Sequence, residues 1–276
     1  MNIALVTDST ADLPPEVVER YRIQVVPNII IIDGKSFEEG PGITRREFYK
    51  RMPTFQTYPT TSTASVGTYQ NIYEGLLQQG AEQVLSIHVS GRLSGIFNAA
   101  STAAEAFGER VKVVDSGQIT LGMGFQVLSA AEAIARGADL ETALKIIDGV
   151  QRRVLVIAML DTLEYVALSG RVSWARARIG NLLRIKPFIK VKDGDVMRWG
   201  DVRTRRKGIE RLKEMVRDLG DLERFAVLHS NAKTDAQRIL QELDIKIPTT
   251  PLVVNVTTVI GLHVSPNGLG FAAVTI

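Results

Sequence analysis

Two hydroxyl-rich stretches and one histidine hold the groups in this sequence best suited to gripping an anion. Ser94-Gly95 falls between an apolar run ending at Val89 and a helical pattern beginning at Ile96. A hydroxyl and an unhindered backbone would meet there at the positive end of a helix, an anion site. Serine is also a favoured helix cap, so taken alone the same step reads first as capping. Thr60-Thr61-Ser62-Thr63 precedes a second helical pattern at about 65–79. One hydroxyl suffices to cap a helix, so four in a row, followed by Ser65, exceed that need, although such a run also suits a plain loop. His263 lies between Val259-Ile260-Gly261-Leu262 and the turn-rich Pro266-Asn267-Gly268-Leu269-Gly270. Its ring can donate to an anion, orient a hydroxyl, or serve structure alone.

Several enzyme chemistries fail on composition or spacing. Cysteine is absent, which removes a thiol nucleophile and thiolate metal ligands, and three histidines, His88, His229 and His263, make a metal cluster unexpected. Asp8-Ser9-Thr10 lacks the second carboxylate of an aspartyl-phosphate site. Ser94 has Arg92 and Ile96 where a hydrolase elbow needs glycines, and Gly91, Gly95 and Gly122 form neither a dinucleotide fingerprint nor a Walker loop. Neutral donors at two helix starts suit a singly charged carboxylate, which hydroxyls and backbone N–H groups can satisfy without a full opposing charge. A transferase or hydrolase using Ser94 and His263 stands as the alternative.

The elements needed to position these residues alternate. Strands are expected at Ile3 to Val6, Val25 to Ile32, Val84 to Val89 and Val111 to Val114. Helices are expected after Asp12, as a cap, and Pro14, then at 65–79, Ile96 to Phe107, Gly122 to Arg136 and Leu140 to Val150. Thr44 and Glu47 form a capping box, and Asp33-Gly34 a hairpin turn. From Val154 the texture changes: Asp193-Gly194 centres a hairpin, and helices at 205–219 and 233–243 interleave with strands at 225–229 and 252–256. The expected fold is α/β with two domains, 1–151 and 152–276. The first is a parallel-sheet, Rossmann-like α/β domain and the second a mixed α/β domain, with a ligand between them.

With 45% apolar and 23% charged residues, the chain has the composition of a globular protein rather than a disordered one. Residues 170–217 hold fifteen Lys and Arg against five Asp and Glu, so the net charge of +3 is local in origin. That stretch reads as a solvated face, an acidic partner's docking surface, or a nucleic-acid site. Its aromatics are only Trp174, Phe188 and Trp199, without a recognised nucleic-acid motif, so no nucleic-acid partner is expected. No apolar stretch reaches the roughly 20 residues of a spanning helix, and the first residues do not resemble a secretion signal. A cytoplasmic protein without stable membrane insertion is expected.

The pattern as a whole resembles the DegV family of bacterial fatty-acid-binding proteins. The matching segments are Val6-Thr7-Asp8-Ser9-Thr10-Ala11-Asp12-Leu13-Pro14, Pro59-Thr60-Thr61-Ser62, Leu93-Ser94-Gly95, Val114-Asp115-Ser116, Asp161-Thr162-Leu163-Glu164-Tyr165, Gly170-Arg171-Val172-Ser173, Ile185-Lys186-Pro187 and Ile260-Gly261-Leu262-His263. The resemblance implies two α/β domains enclosing an acyl chain such as palmitate, stearate or oleate, with the carboxylate at Thr61 and Ser94, aided by Ser62, Gly95 and His263. It also implies no catalysis and no cofactor, and a separate fatty acid kinase that phosphorylates the bound acid for phospholipid synthesis. Arg171 becomes a candidate for docking that kinase. Ile29, Ile96, Leu121, Met123 and Phe125 are candidate acyl-chain contacts. The chain departs from the family pattern at Thr63-Ala64 (Gln-Pro is common), at Ile96-Phe97 (Thr-Tyr) and at Val264-Ser265-Pro266-Asn267-Gly268 (Thr-Gly-Pro-Gly-Ala), which bears on acyl selectivity.

Overall fold

The computed structural model describes residues 2–176 and 185–276. In chain order the elements are β1 (Ile3–Asp8), α1 (Pro15–Arg20), β2 (Gln24–Val26), β3 (Ile29–Ile32), β4 (Lys35–Glu38), α2 (Arg45–Arg51), β5 (Thr60–Ser62), α3 (Val66–Gln78), β6 (Gln83–His88), α4 (Ile96–Ala104), β7 (Val111–Asp115), α5 (Leu121–Ala135) and α6 (Leu140–Arg153). They continue with β8 (Val154–Met159), α7 (Glu164–Ser169), α8 (Ser173–Arg176), β9 (Lys186–Lys192), β10 (Asp195–Val202), α9 (Arg205–Arg217), β11 (Leu222–His229), α10 (Lys233–Glu242), β12 (Leu252–Asn255), α11 (Thr258–Val264) and β13 (Leu269–Thr275).

Two compact units are built from interleaved segments. The first comprises Met1–Ile29, Thr61–Arg152 and Asp193–Asp195, and the second Ile30–Thr60, Arg153–Lys192 and Val196–Ile276. The chain passes from the first unit to the second at Arg152–Arg153, and residues 30–60 cluster with the second unit. The fold is mixed α/β.

The first unit carries a wholly parallel sheet in the order β2-β1-β6-β7. Its inner strands are nearly continuous apolar runs because helices cover both faces. Leu5, Val6, Val84, Leu85 and Ile87 are buried, and α5 is buried along almost its whole length. Gly124 makes that packing possible: a Cβ there would lie 2.4 Å from the Ala11 carbonyl oxygen in the turn after β1.

The second unit carries a six-stranded sheet in the order β10-β9-β8-β13-β11-β12. β13 lies antiparallel between β8 and β11, and β12 is parallel to β11. α9 and α10 contribute Ile209, Leu212, Val216, Ala236 and Ile239 to the core beside Phe225 and Phe271. A smaller sheet, β4-β3-β5, accompanies an apolar cluster of Ile30, Ile32, Ile43, Phe48, Tyr49, Met52 and Leu262.

Three expectations for the first part of the chain need correction. Val25 to Ile32 is two strands in different sheets, broken at Pro27-Asn28, where Asn28 turns its backbone and amide N–H groups toward Ser9 Oγ. Asp12 does not cap α1, which begins at Pro15 with Pro14 in the cap position and no side-chain cap. The Asp12 carboxylate instead accepts the Thr120 hydroxyl at 2.7 Å, below the start of α5. The helix from Ile96 ends at Ala104 and tightens into a 3₁₀ turn. Thr44 does cap α2, accepting Glu47 N–H, whereas Glu47 pairs its carboxylate with Arg51.

Candidate functional site

The strand order of the first unit locates its crevice. From β1 the chain moves through α1 to β2 on one side, and from β6 through α4 to β7 on the other. The carboxyl ends of β1 and β6 therefore flank a topological switch point, the customary ligand position of open α/β sheets. α4 leaves the carboxyl end of β6 and α3 feeds its amino end, so both helices run against the strands with their N-termini toward that edge. The two helices pack together. The N-termini of α3 and α4, the latter preceded by Ser94, thus face the same end of the first unit.

Ser94 is half-buried and Gly95 exposed, and Gly95 rather than Ser94 is the N-cap residue of α4. No side chain caps this helix in the usual way: the Ser94 hydroxyl accepts Ile96 N–H at 3.4 Å, a long and weak bond. Capping accounts poorly for Ser94, which stands beside a helix N-terminus that no side chain caps conventionally. The α3 cap is Ser65, accepting Thr68 N–H at 3.1 Å, so neither Thr61 nor Ser62 is used for it. Thr61 is half-buried on β5 and Ser62 is exposed. Of the candidate acyl contacts, Ile96, Leu121, Met123 and Phe125 are buried in the first unit, and Ile29 is partly buried at its boundary.

The second unit carries His263 in the last turn of α11, a helix fixed along its length. The Glu39 carboxylate accepts Thr258 N–H and hydroxyl at 2.5 and 3.0 Å, and Tyr58 donates to the Leu262 carbonyl at 2.8 Å. Gly261 admits the Tyr49 ring, since a Cβ there would lie 2.1 Å from its hydroxyl oxygen. His263 Nδ1 is buried with no hydrogen-bond partner among the described residues. Burial, with the charge of Arg171 adding to it, lowers the ring pKa from 6.5 to about 4, so the imidazole is neutral at pH 7.

A buried polar chain crosses the first unit that sequence reasoning did not single out. Asp8 Oδ2 lies 3.0 Å from His88 Nδ1, His88 Nε2 lies 2.7 Å from Ser86 Oγ, and Tyr73 donates its hydroxyl to Ser86 at 2.9 Å. The order Asp, His, Ser copies a hydrolase triad, yet all three residues have 0% exposure, so no substrate reaches Ser86. Burial alone would raise the Asp8 pKa. The hydrogen bond and charge of His88, with bonds from Thr10 and Val89, hold it below the usual value. The only trace in the sequence is the alternation of Ser86 and His88 along β6, which places both side chains on one face.

Arg92 is exposed and pairs with Asp195 at 2.6 Å rather than turning toward Ser94. Arg171 is exposed, its guanidinium donating to the Ser169 carbonyl. The basic stretch 170–217 runs through residues 177–184, which lie outside the described residues. Among the described residues no group of His, Asp or Glu could hold a metal ion, and no helix is long and apolar enough to cross a membrane.

The DegV family profile matches residues 2–275, nearly the entire chain. The chain belongs to the DegV family. It is 33% identical over 273 residues to a DegV domain-containing protein of Listeria monocytogenes, covering 97% of this chain and 96% of that one. The solved structure describing fatty acid binding by a DegV family protein from Thermus thermophilus matches with a TM-score of 0.91 at 32% identity, covering 100% of both chains. A stearic acid-binding protein from Eubacterium ventriosum matches with a TM-score of 0.87 at 25% identity, covering 99% of this chain and 98% of that one. Both of these solved neighbours are thus fatty-acid-binding proteins.

Proposed function

We propose that this DegV protein binds a long-chain fatty acid as a carrier rather than a catalyst. The carboxylate is held by the hydroxyls of Thr61, Ser62 and Ser94 and by backbone donors at Gly95. The observation that carries this reading is the start of α4, where Ser94 is not spent on a conventional cap and the helix dipole favours an anion. Its neutral donors match a single negative charge. Palmitate, stearate and oleate are the expected chains, with Ile29, Ile96, Leu121, Met123 and Phe125 as proposed wall residues. His263 is proposed as a further headgroup donor, on the strength of the family resemblance and its Nδ1, which has no partner among the described residues.

Native mass spectrometry of gently purified protein tests the ligand class. A co-purified fatty acid is expected, and its mass reads the chain length. A protein that is reproducibly empty and ignores added oleate and palmitate would remove the proposal. We further propose that the bound acid is presented in the cytoplasm to a separate fatty acid kinase, with exposed Arg171 contributing to docking. Reversal as Arg171→Glu should reduce acyl-phosphate formation with the kinase while leaving fatty acid affinity intact. Unchanged production would exclude Arg171 from the docking surface.

A further inference from the structure

The sequence contains two Asp-Ser steps, Asp8-Ser9 and Asp115-Ser116, at the carboxyl ends of the strands on either side of β6. Their carboxylates converge on the backbone leaving β6. Asp8 Oδ2 accepts Val89 N–H at 3.2 Å. Asp115 Oδ2 accepts Gly91 N–H at 3.1 Å, and its Oδ1 accepts Gly117 N–H at 2.8 Å. Between these, Ser90 N–H reaches the Gln118 carbonyl at 2.9 Å, and Arg92 N–H reaches Ser90 Oγ at 3.2 Å. Leu93 and Ser94 N–H both close on the Ser90 carbonyl, at 3.0 and 3.1 Å. Ser90 Oγ is itself tethered to the Gly194 carbonyl at 2.8 Å.

Every backbone N–H from Val89 to Ser94 is thereby held, and the run ends where the proposed headgroup donors begin. Two of those acceptors are ionisable carboxylates, whose hydrogen bonds are roughly twice as strong as neutral ones when charged. A site built from neutral donors gains little from each bond, about 1 kcal/mol net, so it depends on those donors being in place before the ligand arrives. We infer that Asp8 and Asp115 are positioning residues that clamp the β6–α4 loop from both flanking strands and so fix Ser94 and Gly95 for a carboxylate. The inference rests on the fatty acid reading proposed above. His88 belongs to the clamp because its Nδ1, 3.0 Å from Asp8 Oδ2, orients that carboxylate.

Asp115→Asn is the direct test, because it preserves shape while replacing one acceptor by a donor aimed at an N–H. The readouts are the affinities for palmitate and for hexadecanol, which has the same chain without the carboxylate, and amide hydrogen exchange of residues 89–95 without ligand. The clamp requires a loss of about tenfold in palmitate affinity, little change for hexadecanol, and faster exchange confined to the loop. Gly91→Ala supplies a second, milder variant, since its Cβ would press on Asp115 Oδ2 and the Phe97 ring, each 3.2 Å away. It should shift the same ratio in the same direction. Equal losses for acid and alcohol in both variants, or an unchanged ratio, overturn the positioning role. Wild-type protein that binds neither palmitate nor hexadecanol overturns the fatty acid reading instead.

Discussion

Ser265 follows α11 with a φ of 70°, and Asn267, two residues on, has a φ of 65°. The left-handed region disfavours side chains other than glycine and, to a lesser degree, asparagine. These are the two positions at which the family pattern commonly has glycine. Ser265→Gly should therefore raise stability by about 1 kcal/mol, seen as a melting temperature higher by roughly 2–4 °C. No increase would mean that the Ser265 hydroxyl bond to the Pro266 carbonyl compensates for the backbone. Two histidines give the second residue-scale expectation. Burial lowers both His229 and His263 to about 4 from 6.5, with Lys233 and Arg45 adding to the effect at His229 and Arg171 at His263. Between pH 6.5 and 4 the unfolded chain takes up protons at these rings and the folded chain does not. Stability is then fully present above about 6.5 and declines as pH falls toward 4. Urea titrations across that window should show the decline, and His229→Asn should flatten it by on the order of 1–3 kcal/mol. A slope identical to wild type would remove His229 as a contributor.

Several elements meet closely where a glycine leaves room for a neighbouring backbone or ring. Gly124 brings α5 against the turn after β1, and Gly261 brings α11 against Tyr49. Gly124→Ala should cost about 1–3 kcal/mol by overpacking, measured as a lower urea midpoint at unchanged slope. A neutral result would show that α5 can slide away from Ala11. The same crowding explains an element missing from the periodic reading of the sequence. β13 is Leu269-Gly270-Phe271-Ala272-Ala273-Val274-Thr275, whose small residues do not look like a strand. It is nevertheless the centre of the six-stranded sheet, where a Cβ on Gly270 would lie 2.5 Å from the Ile157 carbonyl oxygen. α11 is equally illegible because its threonine, β-branched Val259, Ile260 and Val264, and glycine are poor helix formers. It is held instead by Glu39 and Tyr58, residues more than 200 positions away.

For the whole molecule, the interleaving of segments has a direct consequence. Residues 30–60 provide Ile30, Ile32, Ile43, Phe48, Tyr49 and Met52 to the cluster that covers Leu262, and Glu39 to the start of α11. A fragment comprising residues 153–276 should thus lack a cooperative thermal transition at the α11 end and bind a hydrophobic dye. A fragment that melts as one sharp transition without dye binding would show that residues 30–60 are dispensable to the second unit.

The sequence by itself determined the alternation of strands and helices, the change of texture near residue 153, and the hydroxyls at Thr61 and Ser94, because apolar period and turn chemistry are local properties. Its ordered short motifs also marked the family. Only the tertiary structure decided what Asp8, Asp12 and Asp115 do, since a carboxylate's partner across parallel strands depends on strand order and register. It likewise decided that His88 and Ser86 are sealed in the core, that β2 and β3 separate at Pro27, and that α4 starts without a conventional cap. Those outcomes turn on contacts between residues 19 to 108 positions apart, or on φ and ψ at one position, and neither is written in local composition.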